Sequence, residues 1–268
     1  MRYQVLRPPY CYRWAVLISV VLVTVSLILS LSWSGAEGTP GAPQPAPQPA
    51  PEQPAGTAAP AGTAAPPGPR APVRTTARSG RFVALTFDDG PDPGYTPQIL
   101  DLLAQHGAVA TFCMVGTQVR RHPELVRQVL GHGMRLCDHT ADHDEQLARR
   151  DEARMSADIT GARTDLRLAA GSDVPVPYFR APGGNWSDTI TALAVRAGMT
   201  PLGWSVDSRD WTLPGVPAIV AGVRQAVRPG AVILFHDGGG RRAQTVAALA
   251  ELLPWLTAQG YQFDFPAT

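Results

Sequence analysis

The sequence predicts an α/β fold, a barrel of parallel strands wrapped by helices. Three observations lead there. Short apolar runs alternate with longer helix-like segments from Phe82 onwards, and alternation of this kind gives a parallel sheet covered by helices. Proline and glycine sit at the ends of the helical segments, where they start and stop helices well. Five of the apolar runs end in residues suited to metal or proton chemistry. A site fed by that many strands fits the C-terminal rim of a closed (β/α) barrel. An open doubly wound sheet gathers its ligands at one switch point, and fewer strands contribute.

The elements follow in order. Phe82 to Phe87 reads as a strand, and Thr96 can cap a helix with Pro97 in its first turn and Gly107 past its end. Val109–Val115 is the second strand. Pro123 opens a helix that Gly131 closes, and Met134–Cys137 is the third strand. A longer helix covers about Glu152 to Ala170, followed by the short strand Tyr178-Phe179. Ser187 or Asp188 caps a helix ending at Gly198, and Leu202–Val206 is the next strand. Then come a helix over Pro217–Val227, the strand Ala231–Phe235, a helix over Gln244–Gln259 and a seventh strand at Tyr261–Phe265.

Composition narrows the chemistry. The chain has 268 residues and a formal net charge of +1, which does not suit nucleic acid as a main partner. All 23 basic residues are arginine. Without lysine there is no Walker P-loop and no Schiff-base chemistry. No G-x-S-x-G elbow of a serine hydrolase is present. The three cysteines are too few for a disulfide framework. Cys113 and Cys137 fall near the ends of neighbouring predicted strands, where one disulfide or two small buried thiols would both fit.

The segment 14–33, from Trp14 to Trp33, carries no charge and is mostly apolar. Twenty helical residues span about 30 Å, the hydrocarbon thickness of a bilayer. Arg2, Arg7 and Arg13 lie before it, which puts residues 1–13 in the cytoplasm and the rest outside. A cleaved signal peptide is the alternative, since Ser34-Gly35-Ala36 resembles a cleavage site. Either reading exports the domain. Residues 34–79 are rich in Pro, Ala and Gly and lack the apolar content for a core, so they read as a disordered linker. Pro-rich chain of that length can reach on the order of 100 Å. Residues 80–268 form one domain, expected as a monomer.

His139 and His143 are spaced i, i+4, which on a helical turn puts both imidazoles on one side. With an aspartate of the Asp88-Asp89 pair they make two nitrogens and one oxygen, an open catalytic site for a divalent ion. A water in a remaining position would have its pKa lowered, and the second aspartate would be free to take its proton. Arg180 can hold a carboxylate in a bidentate grip. His236, with Asp207 and Asp210 at a neighbouring rim position, can serve as an imidazolium that protonates a leaving group. The residues therefore point to a metal-dependent hydrolase.

Five ordered motifs also carry a family resemblance: Thr86-Phe87-Asp88-Asp89-Gly90, His139-Thr140-Ala141-Asp142-His143, Arg180-Ala181-Pro182-Gly183-Gly184, Asp207-Ser208-Arg209-Asp210-Trp211 and Leu234-Phe235-His236-Asp237. From Arg81 to Phe265 the chain resembles the polysaccharide deacetylases, the NodB-homology domain of carbohydrate esterase family 4. The resemblance implies a distorted (β/α)7 barrel. It implies a divalent ion, usually Zn2+ with Co2+ also accepted, on Asp89, His139 and His143. Asp88 would be the general base, oriented by Arg180, and His236 the general acid, tuned by Asp210. Trp211 and Leu234 would shape the pocket for the acetyl methyl, and the Gly183 N–H would face the oxyanion. The expected partner is an acetylated polysaccharide near the cell's own membrane, peptidoglycan first, with chitin oligomers and acetyl-xylan next. A glycan-binding module without turnover is the rival from another class. Three departures stand out: Gly183 where relatives carry an aromatic residue, Asp138 where Asn is common, and Asp144 where Pro is frequent.

Overall fold

The computed structural model describes residues 71–268. The expected membrane span and nearly all of the expected linker lie outside the described residues. Among the described residues no helix is long and apolar enough to cross a membrane.

The strands are β1 (Phe82–Asp88), β2 (Ala110–Met114), β3 (Arg135–Asp138), β4 (Tyr178–Phe179), β5 (Thr200–Pro201), β6 (Val206–Asp207), β7 (Ala231–His236) and β8 (Gln262–Phe263). The helices are α1 (Thr96–Gln105), α2 (Gly116–Arg121), α3 (Pro123–Gly131), α4 (Glu152–Ala170), α5 (Asp188–Arg196), α6 (Val216–Ala226) and α7 (Ala243–Ala258). One sheet runs in the order β5-β4-β3-β2-β1-β7-β6, with β8 joined to the start of β1. Every pairing is parallel. Its two edge strands, β5 and β6, are consecutive in the chain and do not pair with each other. The parallel, helix-covered sheet is the architecture expected, but it does not close into the expected barrel: the run expected as one strand supplies neither edge with a partner, and β5 and β6 leave a seam between them.

The period of two along each strand decides what faces where. On β1, Val83, Leu85 and Phe87 turn toward the helices and join the main core. Phe87 stacks on Phe112 and Phe235, with ring centroids 5.0 and 5.8 Å apart. Burying each such ring contributes roughly 1.5–3 kcal/mol. The alternate residues turn the other way. Ala84, Cys113, Cys137, Tyr178, Leu202 and Val232 form a second, smaller cluster. Further along the same face of β1 come Thr86 and Asp88. The side of the sheet that is apolar at one end thus becomes polar at the other, and there the site forms.

Cys113 and Cys137 lie directly opposite on β2 and β3 and form a disulfide, with Cα atoms 4.1 Å apart. Of the two alternatives open in the sequence, the bonded pair is the one present.

Helix ends follow the expected signals in most places. The Asp151 side chain accepts the Arg154 N–H at the start of α4 and Ser187 accepts the Ile190 N–H at the start of α5. Thr96 differs: it is the first residue of α1 and caps nothing there. The six-residue α2 was not foreseen, since Val119 is its one apolar side chain of any size. The run Leu202–Val206 is not one strand. Its middle leaves the ladder because the Leu202 and Gly203 carbonyls accept hydrogen bonds from the buried Arg180 guanidinium.

The last residues of the compositional linker pair with the sheet. Val73 exchanges hydrogen bonds with the seam strand: its N–H donates to Pro201 O (2.8 Å) and its carbonyl accepts the Gly203 N–H (2.8 Å). Thr76 N–H donates to Gly230 O (3.1 Å), Ala77 N–H to Phe265 O (2.9 Å), and Thr75 O accepts from Ala267 (2.9 Å). Residues 73–77 therefore lace β5, the start of β7 and the C-terminal segment together across the open side.

Candidate active site

The strand ends open onto a cavity of about 650 Å³. Each predicted motif reaches it or stands directly behind it.

Asp89 follows β1 in a left-handed conformation, φ 71°. Its Oδ1 lies 3.5 Å from His139 Nε2 and 3.2 Å from His143 Nε2. One ligand atom from each of the three residues falls within 4.8 Å of the others. His139 and His143 converge as their spacing suggests, but not through a helical turn. Residues 139–143 are a loop, not a helical turn, and Thr140 and His143 are themselves left-handed, φ 68° and 59°. The loop is held from several sides. Gly116 and Thr117 at the start of α2 donate to the Thr140 and Ala141 carbonyls. The buried Asp158 on α4 accepts the Ala141 N–H (2.7 Å), and Asp138 accepts the Thr140 N–H (2.8 Å).

His139 Nδ1 is 2.8 Å from Arg180 O. A carbonyl only accepts, so Nδ1 carries the hydrogen and Nε2 offers its lone pair to the Asp89 side. Burial lowers the pKa of His143, which favours its neutral, ligating imidazole. Burial also pulls that of His139 down, but the Asp88 and Asp89 carboxylates outweigh it and raise the value, so with no ion bound His139 is the imidazole that takes the proton an ion would displace. Burial alone would raise the pKa of Asp89, but His139, His143 and His236 together hold it well below the usual carboxylate range. Asp89 Oδ1 is buried and, among the described residues, has no hydrogen-bond partner. An orphaned carboxylate oxygen facing two imidazole nitrogens is the donor set of an N2O divalent-ion site, and these residues fit one.

Asp88, at the end of β1, is buried. Arg180 Nη1 donates to its Oδ1 at 2.6 Å. The grip is single, not the bidentate one expected. Three of the other four guanidinium N–H groups go to Thr86 Oγ1, Leu202 O and Gly203 O. Arg180 is fully buried, so every one of those acceptors offsets its desolvation. The arrangement leaves Asp88 Oδ2 toward the cavity, 3.6 Å from His139 Nε2.

His236 ends β7, in register with Asp88. Its Nδ1 donates to Asp210 Oδ1 at 2.7 Å, and its backbone N–H donates to Asp210 Oδ2 at 2.9 Å. Thr245 Oγ1 and Ser208 Oγ complete the shell around Asp210 at 2.7 and 3.1 Å. Burial pulls the His236 pKa down, but the hydrogen bond and charge of Asp210 outweigh it and lift the value above that of ordinary histidine. Asp207 lines the cavity without touching His236, and its Oδ1 accepts the Arg209 N–H.

Gly183, Trp211 and Leu234 all line the cavity. Trp211 is half exposed while Leu234 is buried. Sequence reasoning missed Thr86, Thr245 and Arg242. Thr86 accepts from Arg180 and Thr245 donates to Asp210. A threonine on a strand or in a helix's first turn carries no signal of such a duty.

The model for the polysaccharide deacetylase family matches residues 75–202. The chain is 41% identical over 204 residues to a chitooligosaccharide deacetylase of Sinorhizobium fredii, covering 70% of this chain and 93% of that one. It is 44% identical over 185 residues to a peptidoglycan-N-acetylglucosamine deacetylase of Bacillus cereus, covering 68% and 85%. A solved CE4 family pseudoenzyme from Bacillus anthracis superposes with a TM-score of 0.66 at 24% identity, over 72% of this chain and 66% of that one. That likeness concerns the fold alone, and it shows that the fold by itself does not guarantee turnover. The chain belongs to the polysaccharide deacetylase family, and it is a hydrolase of non-peptide carbon–nitrogen bonds.

Proposed function

We propose that the protein removes N-acetyl groups from peptidoglycan outside the cell membrane and releases acetate. The observation that carries this reading is the convergence on one cavity of the Asp88–Arg180 pair, the Asp89, His139 and His143 cluster and the His236–Asp210 pair. A divalent ion, zinc first with cobalt also accepted by such N and O donors, would be held by Asp89, His139 and His143, and when bound it supplies Lewis-acid polarisation and lowers the pKa of a water.

The chain's own groups divide the proton work. Asp88, pinned through Oδ1 by Arg180, presents Oδ2 to accept the proton of the attacking water. The water oxygen bonds to the acetamide carbon and the carbon–nitrogen bond breaks. An amine is a poor leaving group until protonated, and His236 supplies that proton from Nε2 while Asp210 holds Nδ1–H. The Gly183 N–H would face the oxyanion. Leu234 and Trp211 would bound the acetyl methyl and the sugar.

The charge-free segment 14–33 and the Pro-rich spacer support a single-pass anchor with the catalytic domain outside, or secretion after cleavage. The Cys113–Cys137 disulfide supports the same side of the membrane, because disulfides persist in oxidising compartments. A tethered enzyme suits an insoluble polymer next to its own membrane, and the Bacillus cereus relative is named for that polymer. Acetate release from peptidoglycan, chitin oligomers and acetyl-xylan, measured side by side, tests the assignment. Peptidoglycan is expected to be fastest. Faster release from chitin oligomers would move the substrate to the class named for the Sinorhizobium relative. No release from any of them by folded, zinc-loaded protein would leave a glycan-binding module.

A further inference from the structure

The turns after β1 and β7 interlock. Asp88 and His236 are paired residues at the ends of these neighbouring strands. After them the chain reads Asp89-Gly90 on one strand and Asp237-Gly238-Gly239-Gly240 on the other. The backbone N–H groups of Asp237 and Gly238 both donate to Asp88 O, at 3.1 and 3.3 Å. Each turn then presses its carboxylate residue onto glycine of the other. A Cβ on Gly90 would overlap the Asp237 carboxylate. A Cβ on Gly238 would overlap the Asp89 carbonyl and come within 2.7 Å of Gly90 N. A Cβ on Gly239 would overlap Asp89 Oδ2 and lie 3.0 Å from Asp89 Cβ and Cγ.

Gly239 therefore forms the surface on which the Asp89 side chain rests, and Asp89 needs such support. Its left-handed backbone is a conformation that side chains other than glycine adopt only when their surroundings hold them there, and among the described residues its Oδ1 takes no hydrogen bond that would fix the rotamer. Two contacts lock the supporting turn. Asp237 Oδ2 accepts from Thr96 Oγ1, which in turn accepts the Asp92 N–H. Arg242, 4% exposed, donates Nε to Gly238 O at 2.6 Å. The guanidinium's other hydrogen bond among the described residues also goes to a backbone carbonyl, that of Arg241. A buried guanidinium used on backbone carbonyls is a clamp on the turn.

We propose that Gly239 and Arg242 are positioning residues that hold the Asp89 carboxylate toward His139 and His143. The inference rests on the proposed divalent-ion site, and its readout is ion affinity. Full-length wild type, G239A, G240A, R242Q and R242K would be titrated with zinc against a chromophoric chelator, with the thermal midpoint of each metal-free protein measured alongside. Gly240 is the matched control, since it also has a positive φ but its Cβ would meet only the Arg242 guanidinium, at 3.7–3.9 Å. Groups that orient a metal ligand typically change affinity about 10–100-fold. G239A is expected to weaken zinc binding by that range while G240A stays near wild type, with similar metal-free midpoints for the two. R242Q is expected to lose about 10-fold, and R242K to recover part of it through a Lys Nζ bond to Gly238 O. If G239A fails to fold, the R242Q and R242K pair decides alone. Wild-type affinity in G239A and R242Q would overturn the inference and leave the ion site standing. A wild-type protein that binds no zinc would overturn both.

Discussion

The two halves of the site are built differently. The proton-donor half is finished by the fold. His236 sits on a regular strand, and its partner Asp210 accepts four hydrogen bonds, from His236 N and Nδ1, Ser208 and Thr245. In the ligand half the ligands themselves are strained, whereas in the donor half the left-handed residues, Arg209 and Leu213, only flank Asp210. Asp89, Thr140 and His143 are left-handed, and both Asp89 Oδ1 and Asp138 Oδ2 are buried without a partner among the described residues. Residues of this kind cost about 1–3 kcal/mol each and persist where the surroundings over-determine them. The difference teaches where each half is vulnerable. Changes in the ligand half should act on ion binding. Changes in the donor half should act on the pH dependence of turnover, with the ion untouched.

The largest effects should separate ligands from base. His139→Ala is expected to abolish both zinc binding and acetate release. Asp88→Asn is expected to keep zinc and lower kcat/KM by about 10²–10⁴-fold. Chelator competition and acetate assays on the same preparations check both, and a fully active Asp88→Asn protein would remove Asp88 from the mechanism.

The next effect sharpens the donor half. The pKa of His236 is raised by Asp210, and turnover that needs the imidazolium is lost as pH rises through that raised value. Asp210→Asn lowers the value, so the alkaline limb of the kcat/KM profile should move to lower pH. A fall in kcat on the order of 10²-fold should accompany it. Zinc affinity should not change. An unmoved alkaline limb would assign that limb to another group.

The smallest effect is one of stability in the ligand half. Burial pushes the Asp138 carboxyl up to about 8, against the hydrogen bond from Thr140 and the charge of His139, which lower it. A folded-state value above the unfolded one stabilises the protein in acid. The contribution is fully present below the ordinary 3.8 and is lost as pH rises through about 8. Asn at this position keeps the acceptor for Thr140 N–H and cannot ionise. Metal-free Asp138→Asn should therefore lose less of its thermal midpoint across that window than wild type, the remaining fall coming from groups such as Asp237, whose carboxyl burial also pushes up, to about 7. Parallel curves for the two proteins would count against a neutral Asp138.

Much of this was legible in the chain. The alternation of strands and helices, the Pro and Gly punctuation of α3, and the polar residues closing β1, β3, β4 and β7 follow from periodicity and chemistry. What escaped depends on contacts between distant segments. Nothing near His139 announces that Thr140 and His143 adopt positive φ, because α2, α4 and Asp138 impose that shape. Arg180 was expected to spend two N–H groups on one carboxylate. It spends one on Asp88 and turns Nε and Nη2 to the Leu202 and Gly203 carbonyls, and this is also why the apolar run there is not a strand. Nothing in the triple glycine of the sequence announces that the Asp89 side chain rests against it.

The lacing of residues 73–77 has a practical consequence for anyone isolating the catalytic part. A fragment begun at residue 80, where composition changes, would strip the bonding partners from Pro201 and Gly203. Those residues flank and include the carbonyls that seat Arg180, and Arg180 in turn steadies Asp88. Fusion to a new anchor or carrier should thus be made upstream of Ala71, so that the tether's final stave stays in the barrel wall.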